Sequence, residues 1–273
     1  MPAGRKDKRA FVLKILSMRK KKIFLTILFL IAIGFIVFAA TLPKIFKFDK
    51  ENALQEWQEK IFKNRVSYTV ELTKNGGQLL AKSNNASSGL YYKIRFDPKR
   101  YPMMSWKWKV IKFPEKKASG GGAVKIGQET LWDKILFALQ LKPKIEPIKV
   151  QRPVNTSKEG WLEKDDYAAR VYVIFPSWFF PHTKCIEYIW SEDLPQGQII
   201  TSPYFANIKL IVARSGKNKN DEWAFEERNI YEDYRRAFGT NPPAVGAIAL
   251  MTNTDNTMSS AEALYTDIKV GYK

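Results

Sequence analysis

The sequence has few of the side chains that usually carry metal or nucleophile chemistry: one cysteine, Cys185, and one histidine, His182, in 273 residues. A lone cysteine excludes an intrachain disulfide. Zinc sites built on several imidazoles and Ser-His-Asp catalysis would both have to pass through His182, which follows "SWFFP" in a loop-like stretch. Cys185 lies in the strand-like run "KCIEYIW", the setting of a small buried hydrophobe rather than a reactive thiol. There is no internal repeat, and the only low-complexity stretch is the glycine run at 120–122. Helices are also scarce. Successive strand-like runs stand too close together for a helix between each pair, which argues against parallel βαβ units.

Acidic residues are outnumbered, 27 Asp and Glu against 45 Lys and Arg, for a net charge of +18. Residues 1–22 hold nine Lys or Arg against Asp7 alone, so +8 sits in this tail and +10 on the rest. Next comes "IFLTILFLIAIGFIVFAA", Ile23 to Ala40, without a charge or a proline. At about 1.5 Å per residue its 18 positions reach roughly 27 Å, and Thr41 and Leu42 bring it near the ~30 Å of a hydrocarbon core. The pattern predicts a basic cytoplasmic tail (1–22), a transmembrane signal anchor (23–42), a stalk (43–54) and an exported domain (55–273), periplasmic or extracellular on a bacterial inner membrane. A cleaved signal peptide is the rival reading, with Val37, Ala39 and Ala40 as the small-residue site. An exported basic surface suits anionic head groups or acidic envelope polymers, and nucleic acid is not an expected partner there.

Past Pro43, "FDKENALQEWQEKIF" opens on Asp49 as a helix cap and spaces Leu54, Trp57, Ile61 and Phe62 for a short helix or stalk. Beyond it the period becomes two. "VSYTVEL", "GLYYKIRF", "SWKWKV", "YAARVYVIF", "CIEYIW", "NIKLIVAR", "AVGAIALMT" and "ALYTDIKV", with "GQLLAKS" and "GQIITS", make about ten short strands. The fold class expected is all-β, an antiparallel β-sandwich of jelly-roll-like topology with two inserted helices. One helix is "FEERNIYEDYRRAFG", acids first, bases last, Gly239 as its stop. The other is the apolar "TLWDKILFALQL", Thr130 to Leu141, inside an insertion over 113–164, where it would dip into a bilayer, cover a cleft or add to the core. Trp106, Trp108 and Trp190 fall on the inward side of their strands and are expected in the core.

Three groups of residues are candidate sites. In "TNTDNTMSSAE", Asp255, Asn256 and Glu262 are oxygen donors suited to a sugar or to calcium, although the spacing lacks the glycine and regular ligands of a calcium loop, and Asp and Asn are also ordinary turn residues. Asp165 and Asp166 precede the strand that carries Arg170. If that end meets the Asp255 loop, Asp165, Asp166, Arg170, Asp255 and Glu262 make one polar pocket, or Arg170 simply pairs with a buried acid. The third group is a basic sheet face of Tyr91, Lys93, Arg95, Lys107, Lys109 and Lys209, conditional on their strands being neighbours. No cofactor is expected, with calcium the one candidate metal.

The ordered blocks "SSGLYYKIRFDPKRYPMMSWKWKV", "DDYAARVYVIF", "IEYIWSEDLPQGQIITSPYFANIKLIVARSG", "EERNIYEDYRRAFG" and "IALMTNTDNTMSSAEALYTDIKV" resemble a bacterial family catalogued as domain of unknown function 3047, over roughly residues 55–272 with the insertion as the main departure. The resemblance implies an exported β-sandwich and brings no activity and no catalytic residues. With no recognisable catalytic constellation, the expected function is a membrane-anchored envelope protein that binds a glycan or another envelope component. A carbohydrate-active enzyme with paired carboxylates, and a structural partner in a membrane complex, are the alternatives.

Overall fold

The computed structural model describes residues 42–74, 76–115, 165–178, 182–202, 205–217 and 222–273, and Thr41–Lys273 form one unit. The expected membrane span and the helix at Thr130–Leu141 lie outside the described residues. Thirteen strands and one helix run in the order β1 (Lys44–Phe46), β2 (Gln58–Lys63), β3 (Ser67–Thr73), β4 (Gly76–Asn84), β5 (Ser87–Phe96), β6 (Met103–Lys112), β7 (Arg170–Phe175), β8 (Lys184–Ser191), β9 (Ile199–Thr201), β10 (Ile208–Ser215), β11 (Ala224–Asn229), α1 (Ile230–Phe238), β12 (Val245–Asn253) and β13 (Ser260–Tyr272) among the described residues.

They form two sheets. The six-stranded sheet has the order β11-β6-β13-β4-β3, with β1 also paired to β13, and the seven-stranded sheet has the order β2-β5-β12-β7-β8-β10-β9. Aromatic rings bridge them: Trp106 and Trp108 of β6 lie 5.1 Å from Tyr188 and 5.7 Å from Trp190 of β8, respectively, between ring centroids. Residues with this much apolar area dominate a sandwich core, and the period-two placement of the three tryptophans on the inward face holds. The ladders are antiparallel except one, since β8 and β10 run parallel, a departure from the expected purely antiparallel sandwich. The connection between them carries β9, which folds back antiparallel on β10.

Two expected helices read differently. Residues 50–57 form hydrogen-bonded turns, with Ala53 N donating to Lys50 O and Trp57 N to Leu54 O, followed by β2, and Lys44–Phe46 of the expected stalk pair with β13. The helical spacing lost to tertiary pairing: Phe46 and Trp57 stack at 5.0 Å beside Tyr92. This strap crosses β4 so closely that a Cβ on Gly77 would lie 1.7 Å from the Phe48 carbonyl oxygen. In the second case "FEERN" is strand β11, and the helix starts only at Ile230, capped by the Asn229 side chain accepting from Glu232 N at 3.0 Å. Gly239 ends it in the left-handed region, φ 69°.

The connections define two ends. At one, β5 joins β6, β7 joins β8, and α1 leads into β12; Leu42, packed against Gly271, brings the chain in at this end. At the other, β4 joins β5, β12 joins β13, and Asp165 leads toward β7. Helix α1 closes the first end through Asp233, which accepts from Tyr188 Oη at 2.9 Å and from Arg228 at 2.7 and 2.9 Å.

Candidate functional site

The "TNTDNTMSS" loop, between β12 and β13, is built around Asp166. Its carboxylate accepts from Asn253 Nδ2 at 2.6 Å, Asn256 Nδ2 and N both at 3.1 Å, and Thr257 N and Oγ1 both at 2.7 Å. A carboxylate offers about four lone-pair sites, so this one has none to spare, and at 0% exposure it faces no solvent. Asp166 therefore organises the turn. Asp255 sits half-buried in it, with Oδ1 3.3 Å from Asn253 Nδ2; burial, reinforced by the Asp166 charge, raises its carboxyl above the usual range.

Next to this clamp lies a buried ion cluster. Arg170 Nη1 is 2.9 Å from Glu187 Oε1 and donates to Tyr172 Oη at 3.2 Å; Nη2 is 3.3 Å from Asp165 Oδ1 and also donates to the Asp165 carbonyl. The guanidinium lies 4.8 Å from the centre of the Tyr167 ring, and Arg170 Nε has no hydrogen-bond partner. One cation faces two buried acids here, and desolvation disfavours both charges. Burial pushes Asp165 up to about 7 against the pull of Arg170, and it pushes Glu187 up as well.

Asp165, Asp166, Arg170 and Asp255 thus gather at one end of the sandwich together with Asn256, four of the five residues of the conditional pocket. Glu262 does not join them: it stands between Lys82 and Lys112 on the six-stranded sheet and pairs with Lys82 at 3.4 Å. Glu187 was missed by sequence reasoning, although an acid in the middle of the apolar run "CIEYIW", beside a strand carrying Arg170, was a usable signal. The basic face does not assemble, because β5, β6 and β10 are not neighbours and β6 belongs to the other sheet. Cys185 is buried with its thiol pushed up by desolvation, and His182 is exposed. Among the described residues, no three His, Cys, Asp or Glu side chains could hold a metal ion.

The seven-stranded sheet turns a second apolar surface away from the core. One row across it reads Gln58, Tyr91, Ala249, Tyr172, Glu187, Leu210 and Ile200, each directly opposite the next. Strands lie about 4.8 Å apart, so Tyr91 and Tyr172 stand roughly 10 Å from each other with only the Ala249 methyl between them. Gly89 and Met251 lie in the adjoining row. The short side chains leave a shallow depression of about 20 Å³, lined also by Lys60, Phe62 and Ile174. Tyr172 links it to the ion cluster, accepting from Arg170 and donating to Met251 Sδ at 3.3 Å.

A two-sheet β-sandwich with a shallow apolar depression on one sheet face is the class of protein that fold and site define. The chain belongs to the family described as "Protein of unknown function (DUF3047)", which it matches over residues 55–120 and 147–269. No curated protein matches it. Among solved structures it is similar to the glycoside hydrolase domain of Endo-D from Streptococcus pneumoniae R6 (7% identity, TM-score 0.31), covering 79% of this chain and 21% of that one. It is also similar to TmCBM27, a carbohydrate-binding module studied for mannan recognition (8%, TM-score 0.33, 84% and 96% covered). A third is the xyloglucanase domain of NopAA, a type three effector from Sinorhizobium fredii, in complex with cellobiose (10%, TM-score 0.37, 80% and 93% covered). At these identities and scores the likeness carries no functional argument.

Proposed function

We propose that this is a non-catalytic, membrane-tethered envelope protein whose exported sandwich binds a glycan on the outer face of the seven-stranded sheet. The observation that carries the reading is the depression at half-buried Ala249, walled by the buried rings of Tyr91 and Tyr172 and floored by Gly89. Sugar rings present apolar C–H faces that pack on such surfaces, while Lys60 and Gln58 are the polar groups beside it. The crossings from β4 to β5, β5 to β6 and β12 to β13 support a jelly-roll-like topology. The charge-free run at 23–40 behind a basic tail supports the tether and the bacterial inner-membrane location. The state of the acids supports binding without chemistry: Asp166 is saturated, and Asp165 and Glu187 are both held by Arg170.

The test is binding of the full chain to arrays of neutral and acidic glycans, with calcium and again with chelator, beside Ala249→Leu. The leucine fills the depression from a half-buried position without removing a core side chain. Loss of a glycan signal with an unchanged melting temperature is the expected result, and a signal untouched by Ala249→Leu sinks the site. Loss of binding in chelator would add calcium as a ligand-dependent cofactor. Asp165 favours one second reading, carbohydrate cleavage, because a carboxyl at about 7 is in the range of a general acid. Turnover of a bound glycan that Asp165→Asn abolishes, with binding retained, would establish that reading.

A further inference from the structure

The strongest unexplained feature lies at the end of the sandwich opposite the Asp166 loop. Trp178, in the connection from β7 to β8, is 94% exposed, and the sequence there reads Ser177-Trp178-Phe179-Phe180-Pro181. An indole is rarely left this far in water by a folded domain. The base of the connection is firmly held: Ser177 N donates to Thr183 Oγ1 at 3.1 Å, and Pro176 packs so tightly on Gly246 that a Cβ there would lie 2.5 Å from Pro176 Cγ. Trp178 is thus presented outward from a fixed support.

The surroundings are cationic. The β5–β6 turn at this end carries Lys99 and Arg100 against Asp97, and α1 carries exposed Arg235 and Arg236, which lie 3.6 Å from Glu232 and 3.5 Å from buried Asp233, respectively. Lys184, at the start of β8, lies over the rings of Tyr234 and Phe238 at 5.3 and 4.8 Å. Leu42, where the chain comes in from residues 1–41, belongs to this same end. Aromatic side chains with lysines and arginines around them are the composition of a membrane–water interface, where the indole prefers the head-group level and the cations meet anionic lipid.

We propose that this end is a lipid-docking surface, with Trp178 inserted at the head-group level of an anionic bilayer and the basic residues of the β5–β6 turn and α1 on its phosphates. The proposal rests in part on the tether reading and is independent of the glycan reading. Docking would hold the Tyr91–Tyr172 face edge-on to the membrane and the Asp166 end furthest from it.

The experiment reconstitutes the full chain into vesicles of phosphatidylcholine and phosphatidylglycerol, with and without brominated acyl chains, and compares it with Trp178→Ser. At 94% exposure the substitution leaves the core untouched. The wild-type minus variant emission isolates Trp178. Docking requires that this difference be blue-shifted and lose most of its intensity in brominated lipid, less so when phosphatidylglycerol is omitted. A water-like difference that bromine does not quench overturns the proposal, and so does a blue shift without quenching, which would mean a protein neighbour. Equal quenching with and without phosphatidylglycerol overturns the role of the basic residues. Resistance of the vesicle-bound chain to an alkaline carbonate wash reports the tether separately, so the two failures are distinguishable.

Discussion

The two sheets obey different burial rules. In the six-stranded sheet β3 leaves Ser67, Thr69, Leu72 and Thr73 exposed, and charged residues such as Lys107 and Glu262 stand on its outward side. In the seven-stranded sheet every residue of β7 is buried, and so is β8 from Cys185 onward. An antiparallel sheet with one wet face shows clean alternation; one buried on both faces reads as a continuous apolar run. The lesson is that over β7 and β8 the outer surface of the seven-stranded sheet is a second interior, with half-buried Ala249 at its margin, and the Arg170 cluster is an ionic knot inside it. The same substitution chemistry should cost much on one sheet and little on the other.

The largest effect expected is at Arg170. Arg170→Met leaves Asp165 and Glu187 buried without a cation and should cost about 3–5 kcal/mol in denaturant unfolding. Adding Glu187→Leu should recover much of that, and no recovery would mean that Arg170 acts through packing on Tyr167 rather than through charge. Asp166→Ala comes next, at about 2–4 kcal/mol, because several donors of the 253–257 turn lose their acceptor together. Hydrogen exchange should speed up at the Asn256 and Thr257 amides while the β3–β4 ladder stays protected.

Third is the pH dependence. Asp165 is raised in the folded state to about 7. Its contribution to stability is therefore complete below about pH 4, the unfolded value, and is lost as pH rises through about 7. The melting temperature should fall across that window in wild type and be flatter in Asp165→Asn; equal slopes would show that Arg170 keeps the carboxylate ionised throughout. The smallest effect is Glu262→Gln, which breaks only the partly exposed pair with Lys82 and should cost less than ~1 kcal/mol. A larger loss there would erase the contrast between the sheets.

Much of this architecture was legible where a strand has one wet face. Tyr92, Ile94 and Phe96 alternate with Lys93 and Arg95, and Trp106 and Trp108 with Lys107 and Lys109, so both class and core followed from period two. The helix end was legible too, through Arg235, Arg236 and Gly239. Its start was not, because Glu226 and Glu227 look like first-turn acids. In the fold Glu226 is buried, accepting from Arg214 Nε at 2.8 Å and Trp108 Nε1 at 3.3 Å, contacts remote in sequence. The strap at 47–57 was misread for a similar reason: Leu54, Trp57 and Ile61 have helical spacing, but Trp57 is claimed by Phe46 and Tyr92. At the site, Asp165, Asp166 and Arg170 could be named from their clustering, and their meeting with Asn253 and Asn256 required the β12–β7 register. The depression was invisible, since it depends on which strands flank Ala249.

The pairing of β1 with β13, Phe46 opposite Ile268, has a consequence for biogenesis. Among the described residues the first strand has no ladder partner until the last has been made, so the sandwich cannot close progressively as the chain emerges. Phe46 lacks its ladder partner for that whole interval even where Trp57 and Tyr92 lie against its ring, and contacts so distant in sequence form slowly. Folding of this sandwich therefore completes only once the C-terminal strand is present, and a chain ending before residue 260 leaves Lys44–Phe46 without its ladder.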